Sequence, residues 1–339
     1  MNFVSRALLV AAFVCACAAA LAQERPLERR FAAEESSRYL VEAVLRTEVD
    51  GQRPVRIGAQ TYLEPFSRTA EARLAFVSAR RIASVDAAGN ADVEERLETF
   101  CVEPLGTPSD EEETQQMAAA LLETLRAWAA PDGRTLRYRE STAGQLAGLG
   151  ADGVPPLDES TPRLLTLWLL RALRPTATLP ARPLRTGERW QEPRTVRLEN
   201  WEDAHGFESG EWLDFRTGAE TGGQPAVRLH VVQQIQGRVP LPESSGPGAR
   251  AGEGNAGEKA PAADGKFYAE SLSTLALADG RLLAAARSAT REVARALDAG
   301  PAFREAPRFR GRMLVQVRIE ECEDAACRPA CRAVPGNGS

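Results

Sequence analysis

From Arg38 onward, apolar residues fall on every second position. Val41, Ala43, Leu45, Thr47 and Val49 share one face, and Glu42, Arg46 and Glu48 the other. Period two marks a strand with one dry and one wet face. Asp50-Gly51 carries turn chemistry and predicts the end of that strand. Leu74 to Val85 reads as a second strand, Asp86 to Asn90 as a hairpin loop, and Val93, Leu97, Thr99 and Cys101 as the returning strand. Cys101 is expected at a strand end, on the packed face.

The period then changes. Met117, Leu121, Leu122, Leu125 and Trp128 recur at helical spacing within 109–130. Ser109 and Glu112 offer a capping box, acids crowd the first turn, and Pro131-Asp132-Gly133 stops the run. Leu136 to Glu140 reads as a strand, turning at Thr142-Ala143-Gly144 into 145–149. A second helix is predicted over 162–173, with Pro162 in its first turn and Pro175 ending it. Leu164, Leu165, Leu167, Trp168, Leu169, Leu170 and Leu173 make it apolar nearly all round, so it must be buried. Leu165, Trp168 and Leu169 are candidates for lining an apolar ligand.

Strand pattern resumes after Gly187-Glu188-Arg189-Trp190 and continues into 195–199. Trp212, Asp214 and Arg216 alternate with Leu213 and Phe215. Val227, Leu229, Val231 and Ile235 share a face within 226–239. Residues 241–264 hold almost no apolar bulk and read as a disordered insert. Strands return at 267–277 and 282–293, joined by Ala278-Asp279-Gly280-Arg281. Met313, Val315, Val317 and Ile319 form the last. The expected fold class is α+β, mostly antiparallel β: a long curved sheet or partly open barrel with two central helices. An N-terminal lobe would span 38–175 and a C-terminal lobe 176–322, after a loose leader over 23–37 and before a cysteine-containing tail, 323–339.

The first residues change the reading of the cysteines. Arg6 precedes an apolar stretch from Ala7 to Ala22 that closes on Ala20-Leu21-Ala22, the small-x-small pattern of signal cleavage. Residues 1–22 are therefore expected to be a signal peptide, and the mature chain to be periplasmic or secreted from a bacterium. Val14-Cys15-Ala16-Cys17 loosely resembles a lipobox, which leaves lipidation at Cys17, and an outer-envelope lipoprotein, as the alternative. Cys101, Cys322, Cys327 and Cys331 remain for the mature chain, an even number in an oxidising compartment. One bridge from Cys101 to the tail and one within the tail is the favoured arrangement among three pairings. The long bridge would close more than 200 residues and be worth about 5 kcal/mol by chain entropy. The tail spacings match no common zinc knuckle, and no metal or other cofactor is expected.

Net charge is −5, and of 42 basic residues only Lys259 and Lys266 are lysine. The arginines interleave with acids, so nothing here marks a nucleic-acid binder. No nucleophile elbow, phosphate loop, dinucleotide fingerprint or zinc helix motif occurs. The one local constellation is Glu202-Asp203-Ala204-His205-Gly206-Phe207-Glu208. There Asp203 and His205 could do acid–base work, though the segment reads equally as a polar turn between strands. His230 follows Arg228 on the polar side of its strand and is expected to be exposed.

The stretch Leu179-Pro180-Ala181-Arg182-Pro183-Leu184-Arg185-Thr186-Gly187-Glu188-Arg189-Trp190 resembles an element of uncharacterised secreted β-rich bacterial proteins. The Asp279-Gly280-Arg281-Leu282 hairpin is similar to theirs as well. No activity is attached to that resemblance, so it transfers no functional residue. In outline the chain is also similar to envelope lipid and lipoprotein carriers, a likeness of fold alone. The leading expectation is an exported, non-enzymatic protein whose sheet binds an apolar or amphipathic ligand or an envelope protein partner, without nucleic acid and without a spanning segment in the mature chain. An extracytoplasmic hydrolase using carboxylate and histidine chemistry, and a structural or assembly role, remain open beside it.

Overall fold

The computed structural model describes residues 27–58, 60–106, 109–129, 134–151, 172–177, 179–180, 187–194, 202–216, 223–240, 262–296, 308–323 and 327–329. They form one antiparallel sheet of eleven strands. The strands are β1 Ser36–Ile57, β2 Gln60–Val85, β3 Ala91–Leu105, β4 Arg134–Glu140, β5 Leu146–Ala151, β6 Arg189–Arg194, β7 Glu202–Arg216, β8 Ala226–Pro240, β9 Ala262–Ala276, β10 Leu282–Ala296 and β11 Arg308–Glu321. Their spatial order is β5-β4-β3-β2-β1-β11-β10-β9-β8-β7-β6. Every neighbour is a neighbour in sequence except β1 and β11, which join the two halves into a continuous sheet. β5 and β6 do not pair, so the sheet stays open. Edge strand β6 carries Pro193, which has no amide to offer another chain.

On β1, β8 and β11 the period-two faces stand as read, while a bulge between Trp212 and Asp214 of β7 brings Phe215 onto the face of Trp212 and leaves Asp214 on the other. On the inner face Val41, Ala43 and Leu45 of β1 sit beside Leu74 and Phe76 of β2 and Val315, Val317 and Ile319 of β11, all buried. Val227, Leu229, Val231 and Ile235 continue that face on β8. The single helix among the described residues, α1 (Glu112–Ala129), buries Leu121 and Leu125 in the same core. It lies on the inner face. Arg53 and Arg68 share that face by alternation with Leu45 and Ala72, and they reach Glu113 and Glu111 at the helix start. The small side chains of Ala70 and Ala72 leave room for it. Ser109 caps the helix by accepting from the Glu111 amide at 3.1 Å, but its reciprocal partner is Gln115, whose side chain donates to the Ser109 carbonyl at 2.7 Å, and not Glu112.

Several expectations are corrected. Asp50-Gly51 does not end β1, which runs on to Ile57 and turns at Gly58, with φ 64°. Gly51 instead makes room for an aromatic ring: a β-carbon there would lie 2.9 Å from the Phe66 ring. Asp50 is drawn into the ladder's side chains, accepting from Ser67 at 2.6 Å and Arg310 at 2.7 Å. Glu202–Glu208 is strand and not a turn, part of β7. Residues 262–264 belong to β9, which shortens the proposed insert; 241–261 lie outside the described residues. Cys101 sits within β3, which continues to Leu105. A bulge at Thr99 (φ 54°) reverses the parity of β3, so that Cys101 faces away from the core although buried. Of the second expected helix, only Ala172 and Leu173 are described, and Ala172 has helical geometry.

Nor is the described part of the leader loose. Leu27 and Arg29 are buried. The Arg29 amide donates to Thr142 at 2.7 Å and the Arg30 amide to Asp279 at 2.8 Å, tying the β4–β5 turn to the β9–β10 turn. Residues 172–177 lie on the inner face. Arg287 of β10 donates to the carbonyls of Ala172 (3.3 Å), Arg174 (2.6 Å) and Thr176, much as a cation satisfies the free carbonyls of a helix C-terminus. Burial, with Arg174 beside it, brings the Arg287 guanidinium down to about 10, which still leaves it charged at neutral pH. Arg174 meets Glu95 at 2.5 Å with both side chains wholly buried. Glu95 also accepts from Ser78 at 2.5 Å and Tyr138 at 2.9 Å. Arg80 pairs with Glu140 alongside and donates to Pro175 at 3.2 Å. The inner face is thus apolar through its centre and ionic at one end.

Candidate functional site

Asp203 and His205 both belong to β7. His205 is exposed on the outer face, 3.0 Å from the Gln236 amide; the Asp203 side chain lies outside the described residues. His230 is half-buried and pairs with Glu270 at 2.8 Å. Leu165, Trp168 and Leu169 lie outside the described residues, as do Cys17 and Cys331. Cys322 and Cys327 are joined by a disulfide with 5.5 Å between their α-carbons. Cys101 is disulfide-bonded as well. No cluster of metal-ligating side chains occurs among the described residues, and no described helix is long and apolar enough to cross a membrane.

The GExW element has a structural reading. Gly187 adopts φ 79° and its amide donates to Trp212 at 2.7 Å, while Glu188 accepts from the Trp212 amide at 3.1 Å. The Trp190 ring then covers Gly210 so closely that a β-carbon there would fall 2.1 Å from it. Leu179, at the other end of the element, is buried and bonded to the β4–β5 turn. These residues build the sheet and present no open chemistry.

Among the described residues, open space lies on the outer face, opposite α1. A groove of about 770 Å³ crosses six adjacent strands from β7 to β1. Cross-strand register sorts its lining into two parallel rows. One row runs His205, Gln236, Lys266, Glu292, Arg312, Glu48. The other runs Phe207, Gln234, Tyr268, Thr290, Leu314, Arg46. Phe207 is 54% exposed and Tyr268 40%; unlike Ile57, Tyr62 and Leu105, which are exposed singly, they share one row of a groove. They stand on alternate strands with the Gln234 amide between them. Tyr268 donates to Glu270 at 3.3 Å, and Glu270 in turn meets His230, so the ring is steadied from the neighbouring row. Burial, then Glu270, pushes the Tyr268 hydroxyl up, which keeps it a hydrogen-bond donor at neutral pH.

The charges in the groove are arranged in pairs. Arg312 lies 3.4 Å from Glu48 and 3.1 Å from Glu292, and Arg46 lies 2.7 Å from Glu48. Carboxylates so matched accept hydrogen bonds from their guanidinium partners. The groove therefore presents apolar ring faces beside a rim of amide, hydroxyl and paired charge. Sequence reading missed it. The available signal was Phe207 and Tyr268 on the wet parity of their strands, but only register shows that they share a row.

No family model matches the chain, and no curated protein matches it. Among solved structures, an outer membrane channel of Pseudomonas putida F1 is similar at 10% identity, covering 86% of this chain and 97% of that one, with a TM-score of 0.16. The secretin-domain β-barrel of InvG from the Salmonella SPI-1 injectisome is similar at 11% identity over 88% of this chain and 66% of that one, with a TM-score of 0.10. Scores this low carry no argument about this protein's fold or role.

Proposed function

We propose that the protein is an exported binding protein of the bacterial cell envelope, and that the outer-face groove between β7 and β1 is where it holds an amphipathic ligand. The observation that carries this reading is the pair of exposed rings, Phe207 and Tyr268, set in one row of an open groove and flanked by Lys266 and His205. Exposed aromatic surface beside convergent polar groups is what an amphipathic molecule requires. The signal-like pattern of residues 1–22 and the Cys322–Cys327 bridge are consistent with an oxidising compartment. This site is distinct from the stretch 162–173, whose sequence pattern suggests Leu165, Trp168 and Leu169 as lining an apolar ligand.

Native mass spectrometry of protein isolated from its own envelope tests the reading. Wild type should carry a reproducible extra mass that leaves on denaturation, and the Phe207→Asp, Tyr268→Asp double variant should arrive without it. An empty wild-type protein, or a variant that still carries the mass, would overturn the assignment.

A further inference from the structure

We infer that the ligand of this groove is a linear glycan laid across the strands; the inference rests on the groove being the binding site and names its occupant. Phe207 on β7 and Tyr268 on β9 are two strands apart in direct register. Alternate strands are separated by about 9.5 Å, so the two rings form a line of stacking faces crossing the sheet. Between them stands the Gln234 amide, and Thr290 follows on the far side of Tyr268. The pattern is ring, amide, ring, hydroxyl.

A pyranose matches that pattern. Its faces are C–H surface that packs on aromatic rings, and its rim is hydroxyl that both donates and accepts. In an extended chain, every second sugar can rest on a ring while its neighbour meets the amide. Hydroxyls at the rim can donate to Glu292 and accept from Lys266 in the adjoining row. Other ligand classes fit less well. An acyl chain needs an enclosed apolar site that buries most of its surface, and this groove lies open along six strands. A polyanion needs a continuous cationic track, and here Arg312 is answered by Glu48 and Glu292. The aromatic side chains are ready for contact, since each has only two rotatable bonds and little freedom to lose.

Isothermal titration on the purified protein tests this, using neutral hexasaccharides of β-linked N-acetylglucosamine and of β-linked glucose, with lauric acid as a third probe. At least one hexasaccharide should bind wild type. Phe207→Ala and Tyr268→Ala should each weaken that binding about tenfold, the upper range for loss of one stacked ring, while Phe207→Tyr keeps it. Both sites are exposed, so circular dichroism should stay unchanged. Failure of both hexasaccharides, or binding that survives both alanine variants, overturns the glycan. Lauric acid bound by wild type and lost in the same variants, with no sugar bound, overturns the glycan and leaves the groove standing. If no probe responds to either variant, the groove falls with it.

Discussion

Replacing Arg174 with methionine isolates the worth of the ionic end of the interior. Arg174 and Glu95 are each wholly buried and 2.5 Å apart. Methionine fills most of the volume but leaves the Glu95 carboxylate in a dry site, with only the Ser78 and Tyr138 hydroxyls donating to it. Breaking one side of a buried pair costs about 3–5 kcal/mol. The two hydroxyls hold the loss towards the lower end, since each donates to an ionised acceptor. Against a whole stability of about 5–15 kcal/mol, the variant should still fold. Its urea midpoint should drop by roughly 1–2 M. Adding Glu95→Gln to Arg174→Met removes the second charge, keeps an acceptor for the hydroxyls and should recover most of the loss. The measurement is equilibrium urea unfolding of the oxidised protein at neutral pH. A single variant within about 0.5 kcal/mol of wild type, or a double variant no better than the single, would refute the reasoning.

Two further outcomes are expected. Gly210→Ala should expel the Trp190 ring, whose nearest atom would lie 2.1 Å from the new β-carbon, costing about 1–3 kcal/mol for overpacking; a red shift in emission that is absent from a Trp190→Phe background checks it. The Ser67 hydroxyl, then Arg310, hold the Asp50 carboxyl below its ordinary range. A depressed carboxylate stabilises the fold above its unfolded value and loses that contribution as pH falls through the folded one. Asp50→Asn should therefore cost at most about 1 kcal/mol at pH 7 and nothing in strong acid, read as a converging pair of acid-unfolding curves.

Much of the fold was legible because alternation is a local property. Val41, Ala43 and Leu45 announce a dry face whatever pairs with them, and Asp279-Gly280 announces a hairpin from its own backbone preferences, with Gly280 at φ 68°. The helix over 112–129 was legible for the same reason: Leu121 and Leu125 recur at its period, and Ser109 stands where a cap is needed. Local chemistry misled where a distant residue answered it. Asp50-Gly51 has the composition of a turn, but Phe66 covers the glycine and Arg310 takes the aspartate, so the strand continues. Glu202–Glu208 looked like a polar loop because acids, a histidine and a glycine crowd its sequence, yet β8 pairs with it along that stretch.

The sequence by itself determined most of the dry positions, the hairpin at Asp279-Gly280, and that cysteines stand ready to bridge. Those follow from side-chain periodicity, backbone preference and composition, each confined to a few neighbouring residues. Tertiary structure alone decided that β1 and β11 close the two halves into one sheet, that Arg287 holds the carbonyls of 172–176, and that Phe207 and Tyr268 share a row. The reason is register. Sliding one strand by a single residue would send Tyr268 to the core and break that row, and nothing in the local sequence of β7 or β9 records which position of β8 stands between them.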